Sequence, residues 1–444
     1  MERFLRQKPE IVRGVRPPVG FPVLVAREGL FHEYLSVCSL LMRTIISSNE
    51  DRMNRRDWLK IGSLAVLGLG SGACASARNA RVNAPAALPA RRRVDLPLIE
   101  ASWDRVIRTT VGLRPHRDAG FVLRADKLDS KMLIHNYGHG GSGMSLSWGT
   151  GYIAAEMALQ QEQRRAAVIG CGVVGLTSAR QLQRRGFDVS IYAMAVPPDT
   201  TSNMSLAGFT PTSGLIDNSL RTQEWDAQFR RAVDIAFRQL QLLAGPNYGV
   251  SWIHSYNLAN EVRPEGALDA ELLSADMRGG QVVLGPGEHP FPTKYAVQRS
   301  TMRFEPSIYL DALVRDFLMF GGHIVIRKFD FPRDLMTLTE PVIVHCTGLG
   351  ARALFGDDQV IPLKGQLTHL VPQSEIDYET LGGGSAPAPG GFGIHMMPRR
   401  DGIALGGTSE RNVWTLEPNE EARQRIVSEH IKLFSAMSRP TLTL

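Results

Sequence analysis

The stretch His135–Thr177, "HNYGHGGSGMSLSWGTGYIAAEMALQQEQRRAAVIGCGVVGLT", decides the fold. Its right half reads as strand, glycine turn and helix. Ala166 to Ile169 is an apolar strand, Gly170, Gly172 and Gly175 spell G-x-G-x-x-G, and a helix runs from Val173 to about Arg185. Gly186 ends that helix, and Val189 to Tyr192 is the next strand. In such a unit the first glycine permits the tight turn, the second lets a pyrophosphate approach the backbone, and the third lets helix and strand pack. The phosphate sits at the positive end of the helix, at Val173 and Val174. The glycine pattern alone is weak; the strand–turn–helix–strand context strengthens it. The acidic residue that usually binds the ribose would fall near Met194, which is apolar. Ribose recognition therefore differs, or comes from the loop Pro197 to Asn203.

The left half is a second glycine loop, Gly140-Gly141-Ser142-Gly143 with Met144 and Ser145, expected to run into a helix from about Thr150 to Gln161. Its small residues let a flat ring system lie against peptide N–H groups. In "PDTTSNMSLAGFTPT", Thr200, Thr201, Ser202, Ala207 and Gly208 can approach a ligand's backbone. In "PVIVHCTGLGARALFG", an apolar strand ends in Thr347 and Gly348. A second glycine turn at a late strand end fits a dinucleotide held across the top of a parallel sheet. Together these stretches favour a flavin over a nicotinamide.

The chain has 444 residues, 43% hydrophobic and 21% charged, which suits a soluble globular protein of two or three domains. The net charge of +6 comes from scattered arginines, many in the first hundred residues, and no nucleic-acid motif accompanies it. Cys38, Cys74, Cys171 and Cys346 form no CxxC and no Cys/His cluster, so neither metal nor disulfide framework is expected. Cys171 and Cys346 read as small buried apolar residues.

"MNRRDWLKIGSLAVLGLGSGACASARNA", from Met53, has paired arginines, a short apolar run and small-residue cleavage candidates. That is the layout of a signal peptide, and the run is too short for a membrane span of about 20 residues. It resembles a twin-arginine export signal, with Trp58 where Phe is commoner. A lipoprotein signal at Cys74 ranks second, because Ser71 stands where a lipobox prefers Leu. The expected location is periplasmic or extracytoplasmic. Residues 1–52 are expected to be an extension upstream of a start at Met53, and "RNARVNAPAALPARRR" a disordered linker.

Seven blocks together resemble the D-amino-acid oxidase family of FAD enzymes: "VIGCGVVGLT", "TTSNMSLAG", "RFEPSIYLDALVRDFLMFGG", "VHCTGLGA" with "PLKGQ", "MMPRRDGIALGGT", "VGLRPHR" and "HNYGHGGSG". They cover most of residues 103–437, and the last two are the most specific. The resemblance implies an α/β fold: a Rossmann-like FAD domain plus an α+β substrate domain with a mixed or antiparallel sheet. In the family the nucleotide turn comes first and the "GLRP…HNYGHGG" block last; here that block precedes the turn. We read this order as a circular permutation, the alternative being a fragment of a tandem or domain-swapped dimer. The implied layout is 1–52 extension, 53–77 signal, 78–102 linker, 103–163 displaced block of the FAD domain, and 164–245 FAD core. It continues with 246–335 substrate domain, 336–362 FAD strand and turn, 363–415 substrate domain, and 416–444 C-terminal helix and tail.

The resemblance places the substrate carboxylate on Arg114, whose planar fork suits two parallel hydrogen bonds. It puts the substrate amine near the carbonyl of Gly141, and FAD on the residues of the turns named above. It implies no side-chain base, so His135 and His139 are expected to be structural, as is Arg117. Family tyrosines would fall at His395 and Gly391; a histidine at 395 titrates near neutral pH and suits a polar lid or selection of a polar or acidic side chain. The expected reaction is oxidation of a D-amino acid by O2, with a small-molecule substrate and no nucleic acid or membrane span, by a chain able to form a homodimer. Rival readings are an oxidase or dehydrogenase of glycine-like or secondary amines, and a catalytically inactive flavin binder.

Overall fold

The computed structural model describes residues 93–262, 266–384 and 393–439. The extension, the export signal with Cys74, most of the linker and position 391 lie outside the described residues.

One sheet carries the glycine turns. Its strands are β2 (Val122–Leu128), β3 (Lys131–Tyr137), β4 (Arg165–Ile169), β5 (Asp188–Ala193), β9 (His323–Ile326) and β10 (Val342–His345). Their order is β2-β3-β10-β4-β5-β9, parallel except for the β2–β3 pair. The central strands are apolar on both faces, as a sheet covered on both sides requires. On one face lie α1 (Gly143–Ala158), α2 (Val173–Gln183), α3 (Gln223–Leu242) and α6 (Pro306–Met319).

Helix α1 begins at Gly143, about two turns earlier than the expected start near Thr150. Its glycines make a poor helix in isolation. Packing overrides that propensity. A Cβ on Gly149 would stand 1.8 Å from the Ala232 carbonyl oxygen, and one on Gly151 would stand 2.9 Å from the Ser178 nitrogen. The glycines let α1 press against α3 and α2, and tertiary burial supplies the helical stability.

The second sheet has nine strands in the order β1-β11-β14-β13-β12-β6-β8-β7, with β15 beside β11. They are β1 (Val106–His116), β6 (Val250–Ala259), β7 (Val282–Leu284), β8 (Tyr295–Phe304), β11 (Ile361–Leu370), β12 (Tyr378–Gly382), β13 (His395–Arg399), β14 (Gly402–Gly406) and β15 (Glu410–Arg411). Only the β12–β6 pair is parallel. One face packs on α8 (Glu420–Ser435), whose Ile426, Val427, Leu433 and Phe434 are buried in a core shared with Leu370, Tyr378 and Leu405. The short helices α4 (Ala267–Leu272), α5 (Ala275–Arg278) and α7 (Gly350–Phe355) complete the described α-helices.

Two assignments are corrected. Residues 94–101 are not a free linker: Leu96 and Ile99 are buried in the α8 core, and the Tyr378 hydroxyl donates to the Pro97 carbonyl at 2.8 Å. The block 103–163 does not belong wholly to the FAD domain. Its strand β1 pairs along its length with β11 in the large sheet, and the chain enters the small sheet only at β2. Among the described residues no helix is long and apolar enough to cross a membrane.

Candidate active site

Four turns converge at the C-terminal ends of β3, β10 and β4. A Cβ on Gly143 would lie 3.8 Å from Val173 Cγ1, so the N-termini of α1 and α2 meet. Gly170 has φ +114, and a Cβ there would strike the Cys346 carbonyl oxygen at 2.5 Å. A Cβ on Gly175 would strike the Gly170 carbonyl oxygen at 2.0 Å. Gly172 is different: its added Cβ meets only Ser202 Oγ, at 3.3 Å, so its open side faces the cleft. Neither helix carries a side-chain cap from its own N-cap residue. The two positive helix ends and the backbone N–H groups around them suit a pyrophosphate and a planar ring.

Several residues expected to touch the cofactor also bond within or between the loops. The Val173 N–H donates to Ser202 Oγ at 3.0 Å, tying the 200–208 segment to α2. Thr200 Oγ1 donates to Asn203 Oδ1, and Thr201 opens a short 3-10 turn. The Ser142 hydroxyl lies 3.1 and 3.0 Å from the carbonyl oxygens of Thr210 and Ser213, and Ser145 Oγ accepts from the Thr210 N–H at 2.9 Å. Their side chains hold the 208–213 segment against the first glycine loop. Met144 and Val173 point into the core, while Val174 is half-buried. Gly140 and Gly141 are glycines because Gly214 and Ser213 press on them; added Cβ atoms would lie 1.9 and 2.8 Å from those carbonyl oxygens. Ala207 holds φ +68 and Gly208 bridges to Arg303 of β8, carrying the segment onto the large sheet. Thr347 and Gly348, at φ +58, stand half-buried at the end of β10. Met194 is 74% exposed at the end of β5, where an acidic residue was sought.

Arg114 and His395 project from one face of the large sheet. Arg114 pairs with Leu363, His395 pairs with Gly406, and directly paired residues share a face. Arg114 Nε donates to the Leu363 carbonyl at 3.2 Å and Nη2 donates to the Thr408 carbonyl at 3.1 Å, which fixes the plane of the guanidinium. It lies over Gly365, whose added Cβ would stand 3.2 Å from Nη2. His395 lies over Gly406, whose added Cβ would stand 2.1 Å from Nε2. Both glycines are gaps in the sheet that admit a functional side chain, and neither stood out in the sequence.

The charge of His395 corrects its expected titration near neutral pH. Burial, with smaller repulsion from His430 and Arg114, pushes the imidazole down to about 3. It is neutral at pH 7, and Arg114 carries the charge. His139 is likewise neutral, pushed down to about 3 by burial; it bonds Thr150 Oγ1 at 3.1 Å and stacks on Phe121. Arg117 donates to Asp357 and to the Gly120 carbonyl, a structural role as expected. Cys171 and Cys346 are buried and unbridged. Glu379 was not anticipated: it is 5% exposed, lies 3.9 Å from an added Cβ on Gly208, and burial raises its carboxyl above the usual range.

The profile of the DAO family, described as FAD dependent oxidoreductase, matches residues 69–157 and 165–443. The chain belongs to this family. The D-amino-acid oxidase of Rubrobacter xylanophilus is 29% identical over 272 residues, 59% of this chain and 75% of that protein. Human D-aspartate oxidase is 26% identical over 272 residues, 60% of this chain and 74% of that protein. The crystal structure of glycine oxidase from Bacillus cereus ATCC 14579 overlaps 62% of this chain and 79% of its own, at 15% identity and a TM-score of 0.45. The FAD-dependent oxidoreductase therefore has FAD as its cofactor. Its residues fit that group. The open side of Gly172 and the N-termini of the two helices form the cradle, and Gly140–Gly143 with Thr347–Gly348 flank it.

Proposed function

We propose that the enzyme oxidises a D-amino acid to the 2-imino acid, which water converts to the 2-oxo acid and ammonia while O2 becomes H2O2. The observation that carries this reading is Arg114: a guanidinium held flat by two carbonyls over a glycine gap, on the sheet face that Gly208 adjoins. Bound FAD supplies the hydride acceptor. Arg114 pairs the substrate carboxylate in two hydrogen bonds and so fixes how the single Cα hydrogen is presented to the cofactor. Neutral His395 borders the substrate without adding charge. The Gly141 carbonyl accepts a hydrogen bond from the amine. The names of the relatives, D-amino-acid and D-aspartate oxidase, support the D-configuration.

The decisive experiment is an anaerobic bleaching screen of the yellow holoprotein against D- and L-amino acids, glycine and secondary amines, followed by a peroxide assay in air. Bleaching by D-amino acids alone is expected. Bleaching by glycine or secondary amines alone would replace the substrate class, and no bleaching at all would leave a flavin binder.

Two further readings accompany the reaction. The chain is a circular permutation of the family order, supported by the two matched stretches and by β3 joining β10 and β4 in one sheet. A chain re-ordered to start near residue 164, with residues 93–163 moved to its end, is expected to fold and bind FAD. The protein is exported through the twin-arginine route, supported by "MNRRDWLK" and its apolar run. Arg55→Lys with Arg56→Lys should retain the precursor in the cytoplasm, and N-terminal sequencing of the exported form should begin beyond Ala75.

A further inference from the structure

The large sheet holds a buried carboxyl group that the proposed reaction does not use. Glu379 lies on β12, two residues before Leu381, which pairs with His395. Side chains two apart on a strand share a face, so Glu379 stands on the face that carries Arg114 and His395. It is the diagonal neighbour of His395, about 7–8 Å away between Cβ atoms. Its carboxyl turns toward the segment that adjoins the first glycine loop. An added Cβ on Gly208 would lie 3.9 Å from Glu379 Oε2 and 3.4 Å from Met397 Cε, on the strand of His395.

A buried carboxylate needs a cation or several donors to offset its lost hydration. Glu379 is 5% exposed, and among the described residues it forms no ion pair. Ser255 of β6 pairs with it in register, but the Ser255 hydroxyl is buried without a well-formed hydrogen bond. Ser255, Arg299 and Arg303 favour the ionised form less than burial opposes it, so the carboxyl is raised above its usual range. Arg303 is engaged elsewhere: Nη1 donates to the Pro398 carbonyl at 2.8 Å, and Nη2 lies 3.8 Å from Glu305. Arg299 stands one strand farther off, where it pairs with Ser255. The site therefore lacks one close positive charge.

We propose that a cationic substrate side chain supplies that charge, and that Glu379 makes the enzyme prefer D-amino acids with a long basic side chain. The inference rests on the D-amino-acid reading above. Arg114 takes the substrate carboxylate at one end of the face, and the side chain runs past His395 to Glu379. The neutral imidazole of His395 lets a cation pass without repulsion. The diagonal step from His395 to Glu379 suits a stem of three or four methylenes rather than one. A neutral chain of equal length leaves the carboxyl unpaired, and an acidic chain meets it as a like charge.

The test compares D-lysine, D-norleucine and D-glutamate as substrates of the FAD-loaded enzyme in a peroxide assay. D-Lysine should exceed D-norleucine about tenfold or more in kcat/KM, mostly through KM, and D-glutamate should be the poorest. Glu379→Gln, nearly the same in shape, should lower kcat/KM for D-lysine about 30-fold and change D-norleucine by less than about threefold, with FAD retained. Equal use of D-lysine and D-norleucine by the wild type, or an equal loss of both in the variant, would overturn the proposal. A second measurement needs no turnover. 6-Aminohexanoate has the carboxylate and the distant cation but no α-amine, and its binding is read from the flavin absorbance. It should bind about tenfold tighter than hexanoate to the wild type and lose that advantage in Glu379→Gln. If that advantage is present while no D-amino acid is oxidised, the cation subsite stands and the D-amino-acid reading falls. Hexanoate binding as tightly as 6-aminohexanoate to the wild type would sink the subsite, whether or not the variant folds.

Discussion

The small sheet and the large sheet meet their ligands by different means. In the small sheet the proposed cofactor site is built of backbone: the glycines at 170, 172, 175, 140 and 141 serve by lacking a Cβ, and the serine side chains around them bond backbone groups of neighbouring loops. In the large sheet the proposed substrate site is built of side chains, Arg114 and His395, each standing over a glycine on a neighbouring strand. The first arrangement is written in one short stretch of chain. The second is assembled from β1, β11, β13 and β14, which lie far apart in sequence.

This division can be tested, beginning with the largest expected effect. Arg114→Leu removes the partner of a desolvated carboxylate, which costs about 2–5 kcal/mol, roughly 30- to 4,000-fold in kcat/KM. The variant should keep its FAD absorbance; loss of the flavin instead would merge the two roles that the sheets divide. Gly175→Ala forces a methyl to within 2.0 Å of the Gly170 oxygen, in rigid backbone. It should cost about 3 kcal/mol or more in stability and abolish FAD retention, read by thermal melting and by the protein-bound flavin spectrum. A yellow, stable Gly175→Ala protein would break the backbone half of the comparison.

Acid should weaken the fold through its buried neutral histidines. Burial pushes His139 and His369 down to about 3 and His430 down to about 4, against 6.5 in an unfolded chain. Between those values the unfolded chain binds more protons, so stability is full above about pH 6.5 and falls as pH drops. The slope is up to about 1.4 kcal/mol per pH unit for each such histidine. Urea midpoints at pH 8, 6 and 5 measure it, and a midpoint that stays level would contradict the assignment. Gly406→Ala should push the imidazole of His395 aside and lower kcat/KM by about tenfold while FAD affinity holds, which separates the two sheets again. Smallest of all, His395 should add no inflection to the kcat/KM profile between pH 5 and 8, because it is already neutral.

The sequence showed the small sheet well, since a glycine turn between strand and helix is local. Strands β4 and β5 and helix α2 lie within a residue or two of their expected ends, while β2, β3 and β9 were not anticipated. Helix α1 began earlier than its glycines suggested, because the carbonyl of Ala232 that fills their space is remote in sequence. Arg114 was visible only through resemblance to a family, as nothing local distinguishes it from a surface arginine. Gly365 and Gly406 were illegible, because what they make room for sits on another strand. The charge of His395 could not be read either, since burial and not residue type decides it.

One backbone hydrogen bond joins the two halves. The Gly140 N–H donates to the carbonyl of Pro115, the residue after Arg114, at 2.8 Å. The proposed grip on the substrate and the glycine loop at Gly140 are therefore tied into one clasp. If loading FAD draws that clasp into register, a carboxylate ligand will bind the loaded protein more tightly than the empty one. Thermodynamic reciprocity then requires the same ligand to tighten the equilibrium binding of FAD by the same factor.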